Sequence, residues 1–337
     1  MPTSAKPTVL VLGATGFLGG HVARAFDQRG YPVRGTKRAS SPTWHVEDVD
    51  IEWAEVDLDA DDAADRLDDA MADAQFVVDC AAHYAADVHD IDRAKRIGVG
   101  RLRRVMDACK RQNIARYVYV SSPATLGYTD GEPDETLDEA DFYTPGSLND
   151  AYYESKWSME AEIYRYLLEG LSSIILIPGA VFGPGDIKPA TGEFIVRLAN
   201  GQVPALIGNR FNAVDARDVA NTAVNAINRA RPGRRYVLGG HNLDVGDFAS
   251  SVADAAGVKP PTRRLPGNAV RRVASIIEKI GRGLGLVDGP MTVGLDMILY
   301  ARALDIERAE GELDHQPRPI DETISDSLKW FRRNDYL

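Results

Sequence analysis

The segment Val9-Leu10-Val11-Leu12-Gly13-Ala14-Thr15-Gly16-Phe17-Leu18-Gly19-Gly20 constrains the fold more than any other stretch. An apolar run long enough for one buried strand passes through three glycines at spacing three. It then enters a helical period at Leu18, Val22, Ala25 and Phe26, closed by Gly30. Gly13 permits a tight turn, Gly16 lets a ligand approach the backbone, and Gly19 lets the helix lie close against the strand. The first N–H groups of a helix have no partner within it, so this turn suits a diphosphate. The expected contacts are Gly13, Thr15, Gly16, Phe17, Leu18 and Gly19.

The alternation continues beyond the turn. Thr8–Leu12, Pro32–Thr36, Ile51–Val56, Phe76–Cys80, Tyr117–Ser121 and Ser172–Pro178 read as strands, most followed by a helical stretch. Parallel strands need long crossovers, so the pattern predicts an α/β fold with a doubly wound parallel sheet. After Pro178 the chain becomes rich in Gly and Pro. A strand–helix pair near Asn212–Arg229 and one more strand at Tyr236–Gly240 follow. The expected division is a dinucleotide-binding core over 1–177 with 205–258 rejoining it. Residues 178–204 and 259–337 then form a smaller C-terminal substrate lobe.

Composition removes several alternatives. Fifty acidic residues against 39 basic ones give a net charge of −11, which argues against nucleic acid as a partner. Two cysteines, Cys80 and Cys109, cannot make a disulfide framework or a four-cysteine zinc site. Asp57-Leu58-Asp59-Ala60-Asp61 resembles the start of a calcium loop, but the sixth residue is Asp62 where glycine is required, so no metal is expected. No apolar run could span a bilayer, and the start lacks an apolar signal core; the expectation is a cytoplasmic protein. Ala269–Ile280 is amphipathic and reads as a helix packed on its own protein.

The end of the second predicted strand decides which dinucleotide fits. An NAD site places an acid there, whereas a 2′-phosphate calls for Arg or Lys. Arg34, Lys37 and Arg38 occupy this region with no acid, which favours NADP and leaves NAD possible. Downstream, Tyr152 and Lys156 stand four apart on one face of a predicted helix, Glu154 to Leu168. A tyrosine near pKa ~10 is a poor base at neutral pH, and an adjacent ammonium lowers that value. Tyr153, three before Lys156, competes for the role. Ser121 and Ser122 close the fifth predicted strand, where ligands of doubly wound sheets bind.

Together the Gly13–Gly19 turn, Asp57-Leu58, Cys80-Ala81-Ala82, Ser121-Ser122, Tyr152 to Lys156, Pro178 to Gly185, Asp218-Val219-Ala220 and Asp305 to Pro317 resemble extended short-chain dehydrogenase/reductases. These are the Rossmann-type epimerases and dehydratases that use NAD(P). Ser121–Gly127 and Gly183–Pro189 are similar to stretches of hopanoid-associated sugar epimerases, with dihydroflavonol-reductase-like enzymes close behind. The resemblance implies Tyr152 as acid/base, Lys156 as the ribose-binding residue that tunes it, and Ser122 as the hydroxyl on the substrate oxygen. It also implies cofactor contacts at Asp57, Leu58, Ala81, Ala82 and Pro178. His83 would border the substrate, and Arg210 would hold a substrate diphosphate. Pro123, Ala180 and the Ile97-Gly98 pair depart from the sugar-epimerase pattern.

Three functions follow from this reading. A nucleotide-sugar epimerase stands first, working by hydride transfer without net cofactor change. An NADPH-dependent carbonyl reductase is the alternative, and a non-catalytic cofactor-binding regulator the third. The substrate is a small molecule, a nucleotide sugar or a carbonyl compound. The resemblance also implies a homodimer built on the helices around Asp90–Gln112 and Ala151–Glu169.

Overall fold

The computed structural model describes residues 6–81, 90–127, 135–208, 210–267, 269–273 and 292–337. Its elements begin β1 (Thr8–Leu12), α1 (Phe17–Gln28), β2 (Val33–Lys37), β3 (Ile51–Glu55), α2 (Ala63–Met71) and β4 (Ala74–Asp79). There follow α3 (Ile91–Arg111), β5 (Arg116–Val120), β6 (Thr136–Leu137), α4 (Ala151–Leu168), β7 (Ser173–Pro178), β8 (Ala180–Phe182) and α5 (Gly192–Ala199). The chain continues with β9 (Arg210–Asp215), α6 (Ala216–Arg229), β10 (Arg235–Leu238), β11 (His241–Asp244) and α7 (Val245–Ala256). It closes with α8 (Thr292–Leu299), β12 (Ala303–Leu304), α9 (Glu307–Leu313) and α10 (Ile320–Arg333).

Seven strands form one parallel sheet in the order β10-β7-β5-β4-β1-β2-β3. The winding reverses between β1 and β4, which opens a crevice beyond their carboxyl ends. The expected strands agree with the observed ones to within two residues. Successive side chains alternate between faces, as pleating requires. Leu10, Leu12, Val77, Tyr117 and Tyr119 pack under α2, α3 and α4, whereas Val9, Val11, Val78 and Val118 pack under α1 and α6.

Gly98 explains one departure from the sugar-epimerase pattern. A Cβ there would lie 2.7 Å from Ser155 Oγ and 2.9 Å from Met159 Sδ, so α3 can sit tightly on the back of α4 only because the side chain is missing. Three short strands, β8, β9 and β11, make a second sheet. Around it Phe182, Ile195, Phe248, Ile324, Leu328 and Phe331 form a separate apolar core with α5, α7 and α10. Ala180 pairs with Ala213 in this sheet. Arg318 ties the end of the chain to α6 through Asp218 at 2.8 Å. Of the expected Ala269–Ile280 helix only 269–273 falls within the described residues.

Candidate active site

The glycine turn forms as expected. Gly13 has φ +74°, and a Cβ on Gly19 would collide with the Gly13 carbonyl. The Gly13 N–H donates to Thr36 Oγ1 at 2.9 Å, binding the turn to β2. Helices α3, α4, α6 and α7 each begin at an aspartate whose carboxylate accepts from the first turn: Asp90, Asp150, Asp215 and Asp244. Helix α1 begins at Gly16 with no side-chain cap and no acid in its first turn. Its leading N–H groups are thus left for an anionic ligand, with no carboxylate to repel it.

A cavity of about 350 Å³ opens beside this turn. Gly13, Thr15, Gly16 and Phe17 line one side, Lys37 and Arg38 come from the end of β2, Asp57 and Leu58 follow β3, and Ala81 follows β4. Asp79, buried at the end of β4, accepts from the Ala81 N–H at 2.9 Å and from Tyr117 Oη at 2.7 Å, fixing the cavity floor. Asp186, Ile187 and Lys188 close the opposite wall, and Arg101 reaches the rim. Asp186, Ile187 and Lys188 belong to the Gly183–Pro189 stretch, but neither they nor Arg101 are among the expected cofactor contacts. Leu18 packs into the core under α1 and Gly19 into the strand, so both shape the turn from behind.

Arg34 corrects an expectation. Its guanidinium donates to the carbonyls of Ala70 at 3.0 Å and Ala72 at 2.7 Å, and to Glu52 at 3.0 Å. It therefore satisfies the last carbonyls of α2, which no intrahelical N–H can reach. From mid-strand it does not join Lys37 and Arg38 at the cavity. Pro178 ends β7 opposite Leu238 and does not line the cavity either. Arg210 opens β9 in register with Asp244, also outside it. Ala82 and His83 lie outside the described residues. A second cavity of equal volume, across α1, is lined by Arg24, Arg217 and Arg318. Each of these already pairs with a carboxylate: Asp48, Asp215 and Asp218.

The proposed reacting groups meet at the end of β5. Tyr152 Oη donates to Ser122 Oγ at 2.9 Å, and Ser122 Oγ accepts weakly from the Ala124 N–H at 3.3 Å. Lys156, 2% exposed, places Nζ 5.9 Å from the Tyr152 ring centre and 5.8 Å from that of Tyr119. Burial pulls its ammonium down to about 8, while Asp79 and Glu160 hold it up. Tyr153 points elsewhere: it packs on Tyr143 at 5.6 Å between centroids, and burial pushes its phenol far above the usual range. Tyr152 is therefore the tyrosine that reaches the strand-end serine. Around it cluster Ala124, Tyr143, Leu148 and Tyr153, with Trp157, Met297 and Tyr300 packed against them.

A doubly wound sheet, an uncapped glycine turn and a Tyr–Lys pair beside a strand-end serine define an extended short-chain dehydrogenase/reductase. A model of the NAD dependent epimerase/dehydratase family matches residues 9–239, and the chain belongs to that family. The chain is 30% identical to a Synechocystis sp. protein bearing the name dihydroflavonol 4-reductase, covering 97% of this chain and 95% of the other. It is 26% identical to sterol demethylase protein B of Methylococcus capsulatus, covering 98% and 100%. Among solved structures, a nucleoside-diphosphate-sugar epimerase from Pseudomonas aeruginosa superposes with a TM-score of 0.82 at 26% identity, covering 98% and 99%. Among the described residues no helix is long and apolar enough to cross a membrane, and no cluster of three or more potential ligands could hold a metal.

Proposed function

We propose that this protein is an NADP-dependent oxidoreductase that interconverts a ketone and a secondary alcohol on a largely apolar, ring-bearing skeleton. The observation that carries this reading is the aromatic and apolar cluster packed around Tyr152. A ring-bearing apolar skeleton gains more by burying area against these aromatic and aliphatic faces than a charged sugar diphosphate does. Pro123 and Ala180, which depart from the sugar-epimerase pattern, agree with it. Two of the relatives are named for dihydroflavonol and for a sterol.

A bound nicotinamide dinucleotide supplies the hydride acceptor or donor. The first turn of α1 would hold its diphosphate, and Lys37 and Arg38 would hold a 2′-phosphate through charge-assisted hydrogen bonds. Tyr152 gives its proton to the carbonyl oxygen during reduction and takes it back during oxidation. Ser122, already in contact with that hydroxyl, steadies the same oxygen as its charge changes. Lys156, as a buried cation, favours the phenolate.

The test is a panel of steroid-like, flavonoid-like and simple ketones with NADPH, followed by loss of nicotinamide absorbance. Stoichiometric consumption with a ring-bearing ketone is expected; silence across the panel removes the reading. A nucleotide-sugar epimerase is the second reading, supported by the likeness to the Pseudomonas enzyme. It requires interconversion of two sugar nucleotides with no net change in cofactor. A homodimer through the outer faces of α3 and α4 is part of the proposal, and sedimentation showing only monomer removes it.

A further inference from the structure

The turn that presents Ser122 is gripped at both ends by one buried ion pair. Glu160 lies one helical turn beyond Lys156 on α4, so Tyr152, Lys156 and Glu160 share a face at spacing four. Its Oε1 is 2.7 Å from Nε of Arg235, the first residue of the edge strand β10, and both side chains are almost fully buried. The other carboxylate oxygen accepts from Ser121 Oγ at 2.9 Å. The guanidinium donates to the Thr125 carbonyl at 3.0 Å and Thr125 Oγ1 at 3.1 Å, and reaches on to the Asp141 carbonyl at 2.6 Å. The Ser122 carbonyl in turn accepts from Thr125 Oγ1 at 2.9 Å. Ser121 and Thr125 therefore bracket Ser122, one held by the anion and the other by the cation.

Burying two charges costs several kcal/mol per ion before their attraction returns any of it, so such a pair is weak evidence for stability. Its geometry points to another use. We propose that Glu160 and Arg235 are positioning residues for proton transfer, holding Ser122 Oγ against the Tyr152 hydroxyl. The inference rests on the catalytic reading of Tyr152 and Ser122 given above. Helix α4 carries the reacting phenol, its cation and the anchor for the partner serine's strand end, so the three move as one body. None of Ser121, Ser122, Thr125, Glu160 or Arg235 lines the cofactor cavity. Loosening the clamp should therefore slow chemistry and leave cofactor binding alone.

Two variants of the full-length protein test this, assayed with NADPH and a ketone from the panel above. Ser121→Ala removes one hydroxyl and leaves the ion pair; Arg235→Lys keeps a cation for Glu160 but loses the fork to Thr125. Misplacing a reacting group by about 1 Å costs on the order of 10²-fold, so kcat should fall between about tenfold and 10²-fold. NADPH affinity should stay within about twofold, and the solvent deuterium isotope effect on kcat should rise as proton transfer becomes limiting. Adding Ser121→Ala to Ser122→Ala should cost nothing further, because the two act as a unit. An unchanged kcat in folded Ser121→Ala protein overturns the proposal, as does a parallel loss of NADPH affinity. If Arg235→Lys does not fold, Ser121→Ala decides alone. A Tyr152→Phe variant separates the two levels: if it turns over normally the catalytic reading fails, and if it is dead beside an unimpaired Ser121→Ala only the positioning role fails.

Discussion

The Tyr152 hydroxyl donates to Ser122 Oγ at 2.9 Å, joining the first turn of α4 to the end of β5 across 30 residues of sequence. That contact gives a family-level pattern a definite geometry, because one hydroxyl of the pair must face the substrate oxygen that the other also touches. Tyr153, its neighbour in sequence, is turned into the aromatic core and is closed to this role.

Deleting either hydroxyl should stop turnover without disturbing the cofactor. Tyr152→Phe is expected to lower kcat by about 10²- to 10⁴-fold. Ser122→Ala should lower it by about 10²-fold, in the range of a lost transition-state donor. Steady-state kinetics beside dinucleotide titration checks this; a kcat within about threefold of wild type in Tyr152→Phe would falsify the assignment.

Cofactor choice should respond to Arg38 and ignore Arg34. A charge-assisted hydrogen bond contributes about 1.5–3 kcal/mol, so Arg38→Ala should raise KM for NADPH by about tenfold or more and leave KM for NADH nearly unchanged. Arg34→Ala, which frees the carbonyls at the end of α2, should lower Tm and leave the NADPH-to-NADH ratio where it was. The reverse pattern would reinstate Arg34 as the phosphate ligand.

Lys156 should cost the fold stability at neutral pH. Its ammonium is lowered from 10.5 to about 8 on folding, so between those values the unfolded chain binds more protons and stability rises with pH. Below about 8 the full cost applies, up to about 3 kcal/mol at ~1.4 kcal/mol per unit. Lys156→Met should therefore be the more stable protein at pH 7 and the less active one. Its advantage should shrink as pH climbs from about 8 through 10.5. Denaturant melts of both proteins across that range test the sign, and a constant difference would rule it out.

Gly98→Asn should destabilise the protein by about 1–3 kcal/mol, as overpacking does. Any side chain there meets Ser155 and Met159. A variant with unchanged Tm would mean that α3 can back away from α4 freely.

The parts legible in the sequence were those set by local spacing. The glycine turn and the Tyr152–Lys156 pair each span one turn of chain, and backbone geometry fixes what such spacing brings together. Arg34 was misread because charge gives no direction: from mid-strand its long stem reaches α2, whereas Lys37 and Arg38 sit where β2 ends at the crevice. Glu160 stood four residues past Lys156 and could have been found by the same helical rule. Its partner Arg235 arrives only when β10 joins the sheet edge, a pairing no local pattern encodes. Tyr143 reaches the Tyr152 cluster from one part of the chain and Met297 and Tyr300 from another, so the apolar character of that neighbourhood was invisible until the fold assembled it.

Four helices carry their own aspartate lids, and α1 begins without one. A dinucleotide diphosphate seated at this turn, as proposed, would supply the first helix with the cap its own sequence lacks. Resistance to heat and to proteases should then track the coenzyme pool, since whatever docks only on the folded form shifts the balance toward it.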